Sequence, residues 1–239
     1  DTVVNELFIQ GLVNAVEESN FDACQSNIIM PRNDDFELNQ DKASMPKKTY
    51  FYQLNRYGYV SQASVNNDES NFESNFLSGC SFIIRRDVLN KLGEPFNLST
   101  VVRMFGFIGS WGEDIYLSRL LKVNGFRIGV SSTSVTYHFS GFHWTINRFN
   151  FFKNIVMTRN RYLVISIFSE DFYQFIKSFP FVFISQSHKI YSRLKKSGKS
   201  KMLSTLISLV GVPISIISFL YFLYFRLNPK NNIRISQED

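Results

Sequence analysis

At 239 residues, 44% hydrophobic and 19% charged, the chain is long enough for one domain with a sizeable core plus an appendage. Its 25 Phe and 11 Tyr supply far more apolar surface than disordered chains carry, which argues against a disordered chain. The net charge of +6 is concentrated, with six basic residues (Lys189, Arg193, Lys195, Lys196, Lys199, Lys201) and no acid between His188 and Met202. Beside an apolar run that cluster suits anionic lipid, so no nucleic-acid partner is expected despite a pI near 9.3.

Asp1 to Asn20 reads as an acidic amphipathic helix, and within it Glu6 to Glu18 is the expected surface helix, with Leu7, Phe8, Leu12, Val13 and Val16 at helical spacing. It lacks the basic start and apolar core of a signal peptide. Ala23 to Met30 is an expected strand, ended by Pro31 and a polar run. From there to about Asn75 the chain is Asn- and Ser-rich, which suits a loop that covers a substrate, with one or two short edge strands around Thr49 to Leu54. Gly79 to Ile84 is a short apolar strand, and Arg86 to Leu92 a short helix stopped by Gly93. Ile115 to Val123 forms a helix with Leu117, Leu120 and Leu121 on one face, closed by Asn124-Gly125. Phe126 to Val130 and Ser134 to Phe139 are strands, so strand and helix alternate and the fold class is α/β.

His143 to about Phe168 is a long aromatic helix with interspersed Arg and Lys. Phe172 to Ile184 is apolar but interrupted by Lys177 and Pro180; it either lies along a membrane interface or packs on the domain. Met202 to Phe225 is uncharged for 24 residues, long enough to cross a hydrocarbon core and edged by Tyr221, Phe222, Tyr224 and Phe225. A transmembrane helix is therefore expected at 202–225. Six basic residues precede it and three follow, which puts the N-terminal side in the cytoplasm as a single-pass protein. Cys24 and Cys80 are too few and too far apart for a disulfide framework and fit ordinary core residues in a reducing compartment.

Two places carry candidate chemistry. Glu113 and Asp114 stand at the mouth of a helix, directly after the Gly109-Ser110-Trp111-Gly112 loop. Adjacent helical residues do not share a face, so one acid can enter a cleft while the other caps the helix. Both acids could equally serve only the free N–H groups and the dipole of the helix start. Trp111 offers a flat apolar face of the kind that binds sugars. His138 ends the strand that follows, with His143 and Trp144 close behind.

From Phe76 to Tyr162 the order of these parts resembles family 2 glycosyltransferases of the GT-A fold. Ser78-Gly79-Cys80-Ser81 with Arg85-Arg86-Asp87-Val88 is similar to that family's SGxx and RR strand and helix. Leu92-Gly93-Glu94-Pro95-Phe96 resembles its GGFDE turn, with Glu94-Pro95 a departure. Glu113-Asp114, then Leu117, Arg119 and Gly125-Phe126-Arg127, resembles its ED helix and GYR strand. Val135 to His138 resembles its strand ending in histidine, and Arg159-Asn160-Arg161 the RN of the next helix. The likeness is to rhamnosyl- and galactofuranosyl-type members; no Gln-x-x-Arg-Trp motif of polymer synthases is visible.

The resemblance implies inverting transfer of a sugar from a nucleotide-diphosphate donor to a lipid-linked or polysaccharide acceptor at the cytoplasmic face of a membrane. Asp114 is then the general base beside Glu113. Asp1, as the last residue of an Asp-x-Asp motif, and His138 (with His143 its rival) would hold Mg²⁺ or Mn²⁺. Gly79, Cys80, Trp111 and Trp144 would contact substrate. The implied organisation is the acceptor-side part of a GT-A catalytic domain over 1–150, a helical basic juxtamembrane segment over 151–201, the transmembrane helix over 202–225 and a short polar tail over 226–239. Nothing before Asp1 matches the family's donor-binding half, so the resemblance implies a fragment inactive by itself. The alternative is an inactive remnant, a tethered module that binds a glycan or a partner.

Overall fold

A computed structural model describes residues 2–30, 48–55, 60–66, 71–93, 112–138, 159–165, 168 and 172–196, with single positions from 213 to 227. The chain forms two compact units. One comprises Asp1–Asn55, Tyr59–Thr100 and Glu113–His143; the other comprises Arg56–Gly58, Val101–Gly112 and Trp144–Asp239.

The first unit is α/β, built on a mixed five-stranded sheet. Its strands are β1 (Thr2–Val4), β2 (Ala23–Ile29), β5 (Asn71–Ser74), β6 (Phe82–Ile84) and β7 (Ile128–His138). The order is β1-β7-β2-β6, with β5 also on β7. β2 and β7 run parallel, whereas β1, β5 and β6 are antiparallel to their partners. β5 pairs with Ile128–Ser131 and β1 with Thr136–His138, so two short strands share the edge of one long strand. Between those halves the β2 register jumps from Ser26↔Ser131 to Asn27↔Val135. The polar run Ser132-Thr133-Ser134 therefore bulges out, which is why the sequence reads as two strands where there is one.

Helix α1 (Phe8–Glu18) covers the bulge, burying Leu12, Ala15 and Val16. Its backbone comes close there: a Cβ on Gly11 would lie 2.8 Å from Thr133 Oγ1. Ser131 Oγ and Ser134 Oγ donate to the carbonyls of Gly11 and Phe8 at 3.0 and 2.8 Å. The helix ends where Asn20 turns left-handed at φ 53° and Phe21 N–H reaches back to Val16 C=O at 3.1 Å. Phe21 then joins Val16, Leu12, Ala15 and Cys24 in the core, the apolar contact that accompanies this type of helix end. The first residues depart from the expected helix. Thr2–Val4 is a strand held by β7, because Asn5 bonds the bulge through its backbone and side chain (Asn5 N to Val135 O 3.1 Å, Val135 N to Asn5 Oδ1 3.0 Å).

β2 is central, and its polar residues Gln25, Ser26 and Asn27 are all 0% exposed. Burial at that depth requires partners. Ser26 donates to Thr136 at 2.8 Å and Thr136 to Ser81 at 2.8 Å, leaving Ser81 to donate to Ser26 at 2.6 Å. That closed ring of hydroxyls ties β7 and the start of β6 to β2. The neighbouring amides hold a hairpin of β3 (Lys48–Leu54) and β4 (Val60–Asn66). Tyr50 N–H donates to Asn27 Oδ1 at 2.8 Å, and Gln25 Nε2 donates to Tyr52 C=O at 3.4 Å. Asn75 mimics a strand, accepting from Leu54 N–H at 2.8 Å and donating to Leu54 C=O at 2.7 Å. The stretch expected to be mostly loop thus contains a full hairpin. Helices α2 (Arg86–Leu92) and α3 (Glu113–Val123) also belong to this unit.

In the second unit, residues 159–165 are helical and α4 spans Phe172–Lys196 with Pro180 inside it. Tyr162, Leu163, Val164, Phe175 and Val182 are buried. The expected transmembrane helix at 202–225 is corrected. Among the described residues no helix is long and apolar enough to cross a membrane. The longest, α4, carries Lys177, Lys189, Arg193, Lys195 and Lys196. One residue of the uncharged run packs against α4: the Phe219 ring lies 4.1 Å from Phe179 and 5.6 Å from Phe175, centroid to centroid.

Candidate functional site

Gly112, with φ at 126°, makes the turn into α3 that few other residues could adopt, and Glu113 and Asp114 occupy the first helical turn. The Asp114 carboxylate accepts from the Ile115 N–H at 2.8 Å and from the Gly79 backbone N–H. An ideal Cβ on Gly79 would lie 3.6 Å from the Asp114 Cβ and 3.9 Å from Oδ2, so the two expected site residues are in contact. Part of Asp114 reaches the surface, but its carboxyl group is densely surrounded. That burial raises its pKa, and the amide hydrogen bonds offset it only in part. Glu113 stands beside it with one carboxylate oxygen, Oε2, shut off from solvent.

What holds Gly79 over Asp114 is Ser118, which the sequence reading passed over. It is fully buried, accepts from Leu77 N–H at 2.9 Å and donates to Asp114 C=O at 2.6 Å. Its signal was a lone hydroxyl on the apolar face of Ile115, Leu117, Leu120 and Leu121, four residues after the acid. Gln25 pins the same turn, accepting from Ser78 N–H at 3.4 Å.

Cys80 extends the site. Its Sγ lies 3.1 Å from Ser78 Oγ, and burial raises its pKa, with the Asp114 charge adding to the rise. Tyr52 approaches from the hairpin; burial raises its phenol to about 12, and Cys80 adds to the effect. Its hydroxyl donates to Met30 Sδ at 3.3 Å. Met30 follows the carboxyl end of β2, so Tyr52, Cys80, Gly79 and Asp114 form a rim at the strand end where α/β sheets bind ligands.

His138 lies at the same end of the sheet, closing β7 opposite Thr2. β7 is two strands from β6, about 10 Å across the sheet. The imidazole Nδ1 is buried and has no hydrogen-bond partner among the described residues. Burial lowers its pKa, which keeps the ring neutral and its lone pair available. That nitrogen fits a metal ligand. Among the described residues, however, no three His, Cys, Asp or Glu side chains form a group that could hold a metal. Asp1, Trp111, His143 and Trp144, also expected at the site, lie outside the described residues. No protein-family model matches the chain, and no curated protein matches it.

Proposed function

We propose that this chain provides the acceptor side of an inverting sugar-transfer site, with Asp114 as the general base. The observation that carries the reading is the Asp114 carboxylate itself: desolvated, aimed by Gly79 N–H and set at the carboxyl end of the sheet. A carboxylate with a raised pKa is a stronger base than one in water. It takes the proton of an acceptor hydroxyl; the oxygen then bonds to the anomeric carbon of the donor as the bond to the diphosphate breaks. Exposed Gly79, without a side chain, leaves room for an acceptor beside that carboxylate, and Tyr52 and Cys80 line its approach. The acceptor is a glycan or a lipid-linked sugar, and the donor a nucleotide-diphosphate sugar.

His138 is the described residue that would hold Mg²⁺ or Mn²⁺, and it would need oxygen ligands beside it; Asp1, the other expected ligand, lies outside the described residues. When bound, such an ion supplies neutralising charge for a diphosphate leaving group.

One observation favours the second reading, a glycan- or partner-binding module without catalysis: Asp114 bonds the amide of its own helix at 2.8 Å, as a structural helix-start acid does. The test uses the natural polypeptide that carries this chain, assayed for nucleoside-diphosphate release from a panel of donor sugars with glycan acceptors. Asp114→Asn should lower turnover by roughly 10² to 10⁴-fold while donor binding changes little. Near-normal turnover in that variant removes Asp114 from the chemistry. Glycan binding without turnover, equal in both proteins, establishes the binding module.

A further inference from the structure

We infer that one face of α4 docks onto an anionic lipid surface. The helix has two faces of opposite fate. Phe175, Ser178 and Val182 are buried, and on that side Phe175 and Phe179 meet the ring of Phe219. On the other side Tyr173, Lys177, Phe181, Ile184 and His188 are all exposed. Their spacing of i, i+4, i+8, i+11 and i+15 places them in one row along the helix. Tyr173 is 66% exposed, Ile184 65% and Phe181 39%.

A helix that buries one face in a protein and meets water with the other carries charge outward. Here the outward row is aromatic, aliphatic and amphipathic. Lys177 folds over the Tyr173 ring, with Nζ 4.0 Å from its centroid, so its stem adds apolar cover while its ammonium stays at the surface. Tyr, Phe, Ile and Lys in one row are the residues of a helix lying in a membrane–water interface. A second row, Leu220 and Tyr224, repeats the pattern at 55% and 68% exposure.

Charge names the partner. From Phe172 to Gln237 the chain holds ten Lys or Arg and no Asp or Glu. Such a run is drawn to anionic headgroups. It would be drawn to nucleic acid as well, but a phosphate backbone gives an exposed row of Phe and Ile nothing to enter, whereas an acyl boundary does. The inference does not rest on the sugar-transfer reading, since none of these residues belongs to that site.

Vesicle flotation of the full chain tests it, with neutral phosphatidylcholine vesicles and vesicles enriched in phosphatidylglycerol. The protein should float with the anionic vesicles and only weakly with the neutral ones, and part of the binding should survive high salt, because apolar insertion is not screened. The double variant Phe181→Ser with Ile184→Ser should lose about tenfold or more in vesicle partitioning. Ile184 is 65% exposed and Phe181 39%, so circular dichroism should match the parent, and Ile184→Ser alone should keep the parent's melting while still weakening vesicle binding. Lys177→Glu, a milder change in the same row, should weaken binding at low salt. Absence of vesicle binding, undiminished binding by both variants, or binding that RNA displaces completely from the vesicles would each overturn the proposal.

Discussion

Asp114 meets two opposing requirements: a base must be ionised, and this one sits where ionisation is disfavoured. Its folded-state pKa is raised above the ordinary carboxylate value of 3.8. A group shifted in that direction contributes stability below its unfolded pKa and loses it as pH rises through the folded value. The difference in unfolding free energy between the parent and Asp114→Asn should therefore fall as pH rises from near 4, then level off once the carboxylate is ionised. Urea midpoints across pH read this directly, and a flat difference would mean the carboxylate is solvated like any surface acid. A second residue-scale prediction concerns Gly129, where an added Cβ would lie 2.0 Å from Phe21 Cδ2. Phe21 is a core ring under the Arg127 guanidinium, at 5.3 Å. Gly129→Ala should cost about 1–3 kcal/mol by overpacking, and adding Phe21→Leu should recover part of it in a thermal melt. At this scale the placing of Glu113 and Asp114 at the start of a helix was legible, because order along the chain marked it. Ser118 and Gln25 were not, because their partners are backbone groups of Leu77 and Ser78, far away in sequence.

Elements with an apolar face were readable and those held by polar side chains were not. α1 and α2 emerge close to their expected bounds because Leu12, Ala15 and Val16, or Val88 and Leu92, recur at helical spacing, and β2 because Pro31 marks its end. β4 reads Val60-Ser-Gln-Ala-Ser-Val-Asn66 and meets solvent over much of its length, so no core imposes alternation on it. β1 and β5 are three and four residues long, and only pairing with β7 defines them. The hairpin depends on side-chain amides, which supplies a test. Asn75→Ala removes both bonds to Leu54 and should destabilise by about 1–2 kcal/mol. Hydrogen exchange should quicken at the Leu54 amide first. Unchanged protection there would mean that packing such as the Phe51–Phe72 edge contact, centroids 4.8 Å apart, suffices to hold the hairpin.

For the whole molecule, an uncharged run was read as a span because hydropathy counts residues without knowing their neighbours. Phe219 shows the alternative, packed among Tyr162, Phe175 and Phe179. The two cysteines supply a probe of global opening in the first unit that needs no mutation. Cys24 is 0% exposed in the α1 core, and burial pushes its thiol up to about 12. Cys80 is half-buried in the candidate site, its pKa also raised by burial. Because the thiolate is the reactive form, both should label more slowly than a free thiol, with rates climbing as pH rises. Cys80 should label in the native protein, and an acceptor glycan seated beside Asp114 should slow it. Cys24 should wait for the sheet to part from α1, so its rate should track unfolding and rise steeply with urea. Mass spectrometry of pulse-labelled protein separates the two sites. Equal native labelling of both thiols would show that the α1 core opens without unfolding, and Cys24 would then report a local motion rather than the stability of the unit.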